Sequence, residues 1–495
     1  MWKKLMGYSY NLISLAGFVL ALAGAGHIVV FLAIGIITGV ENPYLGILIY
    51  FVFPGMLILG LLIVPFGIIR TRKRMLREGR TEVPPYPMLN LNDPHQRRKA
   101  IFFVMATVFF FLIIAVASIK GYEYTESAMF CGKLCHTVME PEYVAWSGSP
   151  HARVRCAECH IGPGAEWFVK TKLSGLRQVY KVMAGTYPTP IETPVPNLRP
   201  ARDTCEGCHW PSKFYSGKQK VFYHYALDEK NTPREISLLL KLGREPKSPH
   251  AEGIHWHIGK EVRYITRDPK RQDIPYVSVR EADGTVVEFF ASENPLSPEA
   301  ARNGEKRLMD CIDCHNRPTH IYRAPGTEMD ENFVSGHIDP SLPFIKKVSV
   351  DLLAKPYKTR DEAFAAIDSG IRKYYQESHP DLSRLKAAAI AKSIVHVQDI
   401  YARNFFPVMK VAWNTHTDNI GHFHFPGCFR CHDGKHRSRE GKVISKDCNL
   451  CHTILSQKQE NIPPGSTVSS FVHPLDIGDA VETTGCYECH QAGAM

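Results

Sequence analysis

Three apolar runs lie in the first quarter of the chain. Residues 12–37, 45–69 and 100–118 are dominated by Leu, Ile, Val, Phe, Ala and Gly. Each approaches or exceeds the ~20 residues that cross a bilayer as a helix. The first run follows Lys3 and Lys4 and passes Ala21-Leu22-Ala23 in the manner of a signal peptide. Its apolar character continues through residues 27–40, so the expectation is an uncleaved span. Farther along, residues 359–410 show helical periodicity and predict two helices, in "DEAFAAIDSGIRKYY" and "RLKAAAIAKSIVHVQDIYARNF". The segment "YVSVREADGTVVEFF" alternates around Asp283-Gly284 and predicts a β-hairpin.

Charge orients the runs. The connection "ENPY" between the first two carries one acid and no base. The connection between the second and third holds Arg70, Arg72, Lys73, Arg74, Arg77, Arg80, Arg97, Arg98 and Lys99. Basic loops stay in the cytoplasm, so everything after Lys120 is expected on the opposite side. The net charge of +10 is mostly this loop: residues 1–119 hold 11 Lys+Arg and 4 Asp+Glu, leaving 48 and 45 for the remainder. No phosphate-cradling glycine motif is present, and nothing argues for nucleic acid or nucleotide.

The remaining residues are rich in Pro and Gly and poor in long apolar runs, too poor for one large hydrophobic core. The cysteines supply what is missing. Six Cys-x-x-Cys-His motifs begin at Cys156, Cys205, Cys311, Cys428, Cys448 and Cys486; a seventh, "CGKLCH" at Cys131–His136, has one residue more between its thiols. Together they use all 14 cysteines. Zinc sites and disulfides do not require a His directly after each second Cys, whereas covalent haem c does. The expected cofactors are therefore seven c-type haems, attached through Cys131, Cys135, Cys156, Cys159, Cys205, Cys208, Cys311, Cys314, Cys428, Cys431, Cys448, Cys451, Cys486 and Cys489. Their motif ligands are His136, His160, His209, His315, His432, His452 and His490. Attachment of haem c occurs outside the bacterial cytoplasm, in agreement with the charge argument. A b-type haem among the spans is rejected, because His27 is the only histidine in the three runs. A helix–helix hydrogen bond is the plainer role for it.

A span followed at once by "FCGKLCHTVMEPEYVAWSGSPHARVRCAECH" resembles the NapC/NirT/NrfH family of membrane-anchored multihaem quinol dehydrogenases. The Met139, Ser149-Pro150-His151 and Cys156–His160 order matches that family's pattern. "NLRPARDTCEGCHWP", "MDCIDCHNRPTH" and "NIGHFHFPGCFRCHDGKH" look like the larger seven-haem inner-membrane cytochromes of metal-respiring bacteria. The resemblance implies oxidation of membrane quinol, with menaquinol expected, and delivery of electrons to periplasmic c-type cytochromes in anaerobic or extracellular respiration. Two features depart from the short family members: the C-x3-C spacing, and Ser174 where those members carry an acid near the quinol site.

Haem 1 follows the third span by 12 residues and is expected at the membrane surface. Met139, three residues beyond His136, is expected to tune or replace it on iron. Lys170 and Lys172 are candidates to hydrogen-bond a quinone oxygen, with lipid phosphate as the competing partner. Distal ligands are sought among the 16 histidines outside the motifs: His151, His255 and His257, His320, His422 or His424, His436 and His473, with His95 excluded as cytoplasmic. The fold expected is three transmembrane helices plus a loop-rich, mainly α multihaem domain with a small β-hairpin insert. Its divisions are an anchor (1–119, with the cytoplasmic loop 70–99), a NapC/NrfH-like part with haems 1–4 (120–320, insert about 210–305), a helical connector (321–427) and a three-haem module (428–495). The partners expected are membrane lipid, the quinone pool and periplasmic cytochromes, and a homo-oligomer is allowed. The location is the inner membrane, multi-pass, with the haem domain in the periplasm. Competing functions are a passive conduit fed by a partner dehydrogenase, and a nitrite or hydroxylamine reductase; the absence of any C-x-x-C-K motif counts against the latter.

Overall fold

The structure is a computed structural model that describes residues 7–38, 52–79, 90–134, 136–162, 165–195, 198–214, 216–243, 253–463 and 470–490. It forms two compact units, Met1–Cys131 with Cys156–Arg177, and Gly132–Arg155 with Gln178–Met495.

In the first unit the apolar runs become α1 (Leu12–Thr38), α2 (Phe53–Arg77) and α3 (Pro94–Thr125), all long and apolar enough to cross a membrane. The second and third outrun their apolar stretches: α2 continues through Arg70–Arg77, and α3 starts at Pro94 on the side chain of Asp93, which accepts from the His95 amide. α1 and α2 approach through small residues. A Cβ on Gly60 would lie 2.4 Å from the Ala21 amide nitrogen, and one on Gly24 would lie 2.7 Å from the backbone of Phe53 and Leu57. Ser14 adds an interhelical bond from its hydroxyl to the Val64 carbonyl at 3.0 Å. Without a hydrophobic drive between helices in lipid, close backbone packing and such polar contacts hold spans together. Among the described residues His27 has no hydrogen bond across helices of the kind expected. Its Nδ1 meets the Ala23 carbonyl of its own helix at 2.8 Å, and its ring stacks on Phe53 of α2 and meets Phe111 of α3 edge-on.

The second unit contains α4 (His136–Ser147), and it also takes the last turns of α5 (Ala165–Met183), whose earlier turns belong to the first. The connector folds as α6 (Pro325–Val334), α7 (Ile345–Leu353), α8 (Arg360–Ser378) and α9 (Ala387–Asn404). α8 begins on Thr359, whose hydroxyl accepts from the Glu362 amide, a cap typically stabilising by ~1 kcal/mol. Ile367, Ile371 and Tyr375 of α8 and Ile390, Ile394, Val397 and Tyr401 of α9 recur every three to four residues and are buried together with Leu342, Leu353 and Phe406. The chain thus builds a substantial apolar core between its fourth and fifth motifs, where composition alone suggested none.

The expected hairpin is present as β4 (Tyr276–Arg280) and β5 (Val286–Ala291), turning at Gly284 with φ +85°. It is the middle of something larger. With β3 (Glu261–Ile265), β6 (Arg307–Leu308) and β7 (His436–Ser438) it forms a five-stranded sheet of order β6-β3-β4-β5-β7. A second sheet has the order β1-β2-β8, from Gly217–Tyr225, Pro233–Lys241 and His452–Lys458. All pairings are antiparallel. β7 and β8 belong to the C-terminal motif region and close sheets begun some 150 to 220 residues earlier.

Candidate functional site

The described motifs are short turns, and the one at Cys205 starts on the last residue of a five-residue helix, Ala201–Cys205. Cys156–His160, Cys311–Cys314 and Cys486–Cys489 are α-helical, and the motifs at Cys428 and Cys448 lie on 3-10 turns. The amides of His209, His315 and His432 bond the carbonyl four residues back, that of the first Cys, at 2.7, 2.8 and 3.0 Å. Residues i, i+3 and i+4 share a helix face, so two thiols and an imidazole emerge on one side, as attachment of one macrocycle requires. The first motif solves its extra residue by a π-helical turn, Phe130–Leu134, the form that absorbs one inserted residue in a helix. Within it, a Cβ on Gly132 would lie 2.0 Å from the Tyr143 ring. Cys135 lies outside the described residues, as does the side chain of His136. Met139 is half-buried on α4.

Five histidines from outside the motifs face motif histidines. Ring centroids are 6.0 Å apart for His151 and His209, 6.4 Å for His255 and His315, and 5.8 Å for His257 and His432. They are 6.3 Å apart for His422 and His452, and 6.4 Å for His473 and His490. Two imidazoles on opposite sides of one metal, each bonded at about 2 Å, have centroids about 6 Å apart. The five pairs have the spacing of bis-histidine haem iron, and the residues fit the group. Several are held from behind at Nδ1 by a backbone carbonyl: His255 by Leu242 and His257 by Ile254 at 2.8 Å, and His432 by Ser445 at 2.9 Å. Such support fixes the tautomer and aims Nε2 at the metal.

The other histidines behave differently. His320 has its Nδ1 beside Glu142, 3.0 Å from the carboxylate and 3.1 Å from the carbonyl oxygen. Burial pushes the Glu142 carboxyl up, but the hydrogen bond and charge of His320 and the charge of Arg317 outweigh it and hold it at about 2. His436, expected as a distal ligand, is buried with both ring nitrogens engaged: Nδ1 with Asp433 at 3.0 Å and Nε2 with the Ile274 carbonyl at 2.7 Å. The ring is thus held within the sheet by both its nitrogens. His424 likewise spends Nδ1 on the His490 carbonyl and Nε2 on Thr327.

Consecutive motifs are drawn together. Cys131 and Cys156 hydrogen-bond through their thiols, as do Cys205 and Cys311. Cys314 and Cys451 both lie close to Cys428, and Cys448 lies close to Cys486. The sheets hold this arrangement. Asp313, inside the fourth motif, is 2% exposed and accepts from Tyr264 of β3 at 2.8 Å, and from Arg271 and Arg307 at 2.9 Å each. Arg430, inside the fifth motif, donates to the Asp313 carbonyl at 2.7 Å, which latches two successive motifs.

At the end of α3 stands a residue that the sequence did not single out. Glu126 is 3% exposed and forms an ion pair with Lys172 of α5. Both charges act on the Cys131 thiol. Lys170 points elsewhere, over the Trp167 ring at 4.9 Å. An acid five residues before the first motif cysteine, just past a span, is the signal that could have drawn notice to Glu126.

Apolar spans, single-turn Cys-His motifs and imidazoles spaced for iron define a c-type cytochrome anchored in a membrane. Residues 94–194 match the NapC/NirT cytochrome c family, N-terminal region. Over 492 residues, 99% of this chain and 97% of the relative, it is 61% identical to the cytochrome c-type protein ImcH of Geobacter sulfurreducens. The chain belongs to this family of multihaem c-type cytochromes. No solved structure matches it.

Proposed function

We propose that the protein oxidises membrane quinol, with menaquinol as the expected form, and delivers the electrons through seven haems to periplasmic c-type cytochromes. The observation that carries this reading is the ion pair of buried Glu126 with half-buried Lys172 beside Cys131, at the end of the third span. A carboxylate and an ammonium placed there are what a quinol head group needs. Lys172 donates a hydrogen bond to one quinol oxygen and orients the ring. Glu126 accepts the proton that a quinol hydroxyl loses as the molecule is oxidised. Each quinol yields two protons and two electrons, and haem c supplies one-electron acceptance and onward transfer at every iron.

The five paired imidazoles support five bis-histidine haems, those of the third to seventh motifs. His320, backed by Glu142, is proposed as a further distal ligand, and Met139 as an axial ligand of the first haem. With haem attachment outside the cytoplasm, the basic segment after Arg70 faces inward and the haem-bearing unit faces the periplasm.

The reading is tested by anaerobic stopped-flow reduction of the oxidised, full-length protein with a menaquinol analogue, following the haem α-band. Rapid reduction that a quinol-site inhibitor slows is expected. Reduction by dithionite but not by quinol would overturn it and leave a conduit fed by a partner dehydrogenase.

A further inference from the structure

α5 wears its apolar residues on the outside. Leu173, Leu176, Tyr180 and Met183 recur at intervals of three and four residues and are 63 to 83% exposed. Lys170, Arg177 and Lys181 form the neighbouring stripe along the same helix. On a helix buried in a soluble domain this pattern is reversed, with the apolar stripe turned inward.

The position of the helix is fixed by α3. Its 32 residues measure about 48 Å at 1.5 Å per residue, against about 40–45 Å for a bilayer with its head groups. The C-terminal end of α3 therefore reaches head-group level. Glu126 caps that end, and its ion pair with Lys172 holds α5 there.

We infer that α5 is an interfacial helix: Leu173, Leu176, Tyr180 and Met183 enter the boundary between head groups and acyl chains, and Lys170, Arg177 and Lys181 meet acidic phospholipid. Exposed apolar side chains beside a basic stripe are the signature of helices that lie in this plane, and Tyr180 and Trp167 are side-chain types that favour that depth. Continuity with the three spans makes the occupant a lipid surface rather than a soluble partner. The inference stands on the geometry of α3 and α5 and holds independently of the substrate.

The test uses the full-length haem-loaded protein in vesicles of phosphatidylethanolamine and phosphatidylglycerol doped with a carbene-generating phospholipid. Peptide mapping after photolysis is expected to find adducts on residues 173–183 as well as in α2 and α3. Adducts confined to the spans would overturn the inference. A nitroxide on Leu176→Cys gives a second reading, against one on Lys373→Cys, where the native side chain is 73% exposed. Oxygen access exceeding nickel-chelate access at 176, and the reverse at 373, is expected. Equal water-like access at both sites would refute a lipid contact. Shielding of position 176 from both probes would refute it too, by assigning the stripe to another protein.

Discussion

His255 and His257 are two residues apart, yet their rings face different motifs: His255 lies parallel to His315, with 6° between the planes, and His257 stands at 86° to His432. One short turn thus serves the fourth and fifth motifs at once. The angle between axial imidazoles sets the splitting of the iron d orbitals, so with these pairs on iron the two haems would differ in their low-spin EPR signals. His257→Met is expected to remove a large-gmax signal of the perpendicular type, and His255→Met one of the ordinary rhombic type. Each is expected to raise one haem potential, since thioether favours the reduced iron. Loss of the same signal in both variants would break the pairing.

Glu126→Gln keeps the shape of the side chain and removes the proton acceptor. Positioned acid–base groups typically contribute ~10²–10⁴-fold, so quinol-driven haem reduction is expected to fall by about that range. Dithionite reduction should stay unchanged. Stopped-flow traces with the two reductants make the comparison directly.

Asp313→Ala strands two arginines. Arg271 and Arg307 both lean on this carboxylate, and breaking a buried ion pair by removing one partner typically costs ~3–5 kcal/mol. A lower urea midpoint is expected, with the fourth and fifth haem signals the first to change as the denaturant rises.

His416 gives the pH dependence. It is 6% exposed and bonds Thr193 at 3.2 Å. Burial, reinforced by Arg317, pulls it from 6.5 to about 4. Below pH 6.5 the unfolded chain takes up a proton that the folded chain refuses, so stability falls as pH drops from 6.5 toward about 4 and is fully present above 6.5. Equilibrium unfolding of His416→Gln across that window should show a shallower slope than the wild type.

Gly132→Ala forces a Cβ into the Tyr143 ring. The π-helical turn of the first motif is expected to shift, and haem content by mass should drop by one while the six other motifs are filled.

Much of this was legible because it is local. Apolar length gave the spans, and 3.6-residue periodicity gave α8 and α9. Asp283-Gly284 gave the β4–β5 turn. Motif spacing gave the haem-attachment cysteines and the histidine that follows each pair. What was hidden is non-local. One neighbour of β2 and one of β5, namely β8 and β7, come from beyond residue 430, and no pattern within either segment announces them. The same applies to distal histidines. His436 sits four residues after His432 in sequence, but β7 carries it into the sheet, where Asp433 and the Ile274 carbonyl occupy its ring. His151 and His422, by contrast, are brought from distant loops against His209 and His452.

The late strands also bear on how such a chain is made. Until residues 436–458 arrive, β2 and β5 each present an unpaired edge, the kind of surface that recruits the wrong chain. A polypeptide made from its N-terminus therefore spends most of its synthesis half-fastened, and the segment 436–458, which carries the sixth motif, acts as its clasp. A premature stop just before β7 would lose more than the last cofactors: it would release a product with two open seams, the form that proteases and aggregates find first.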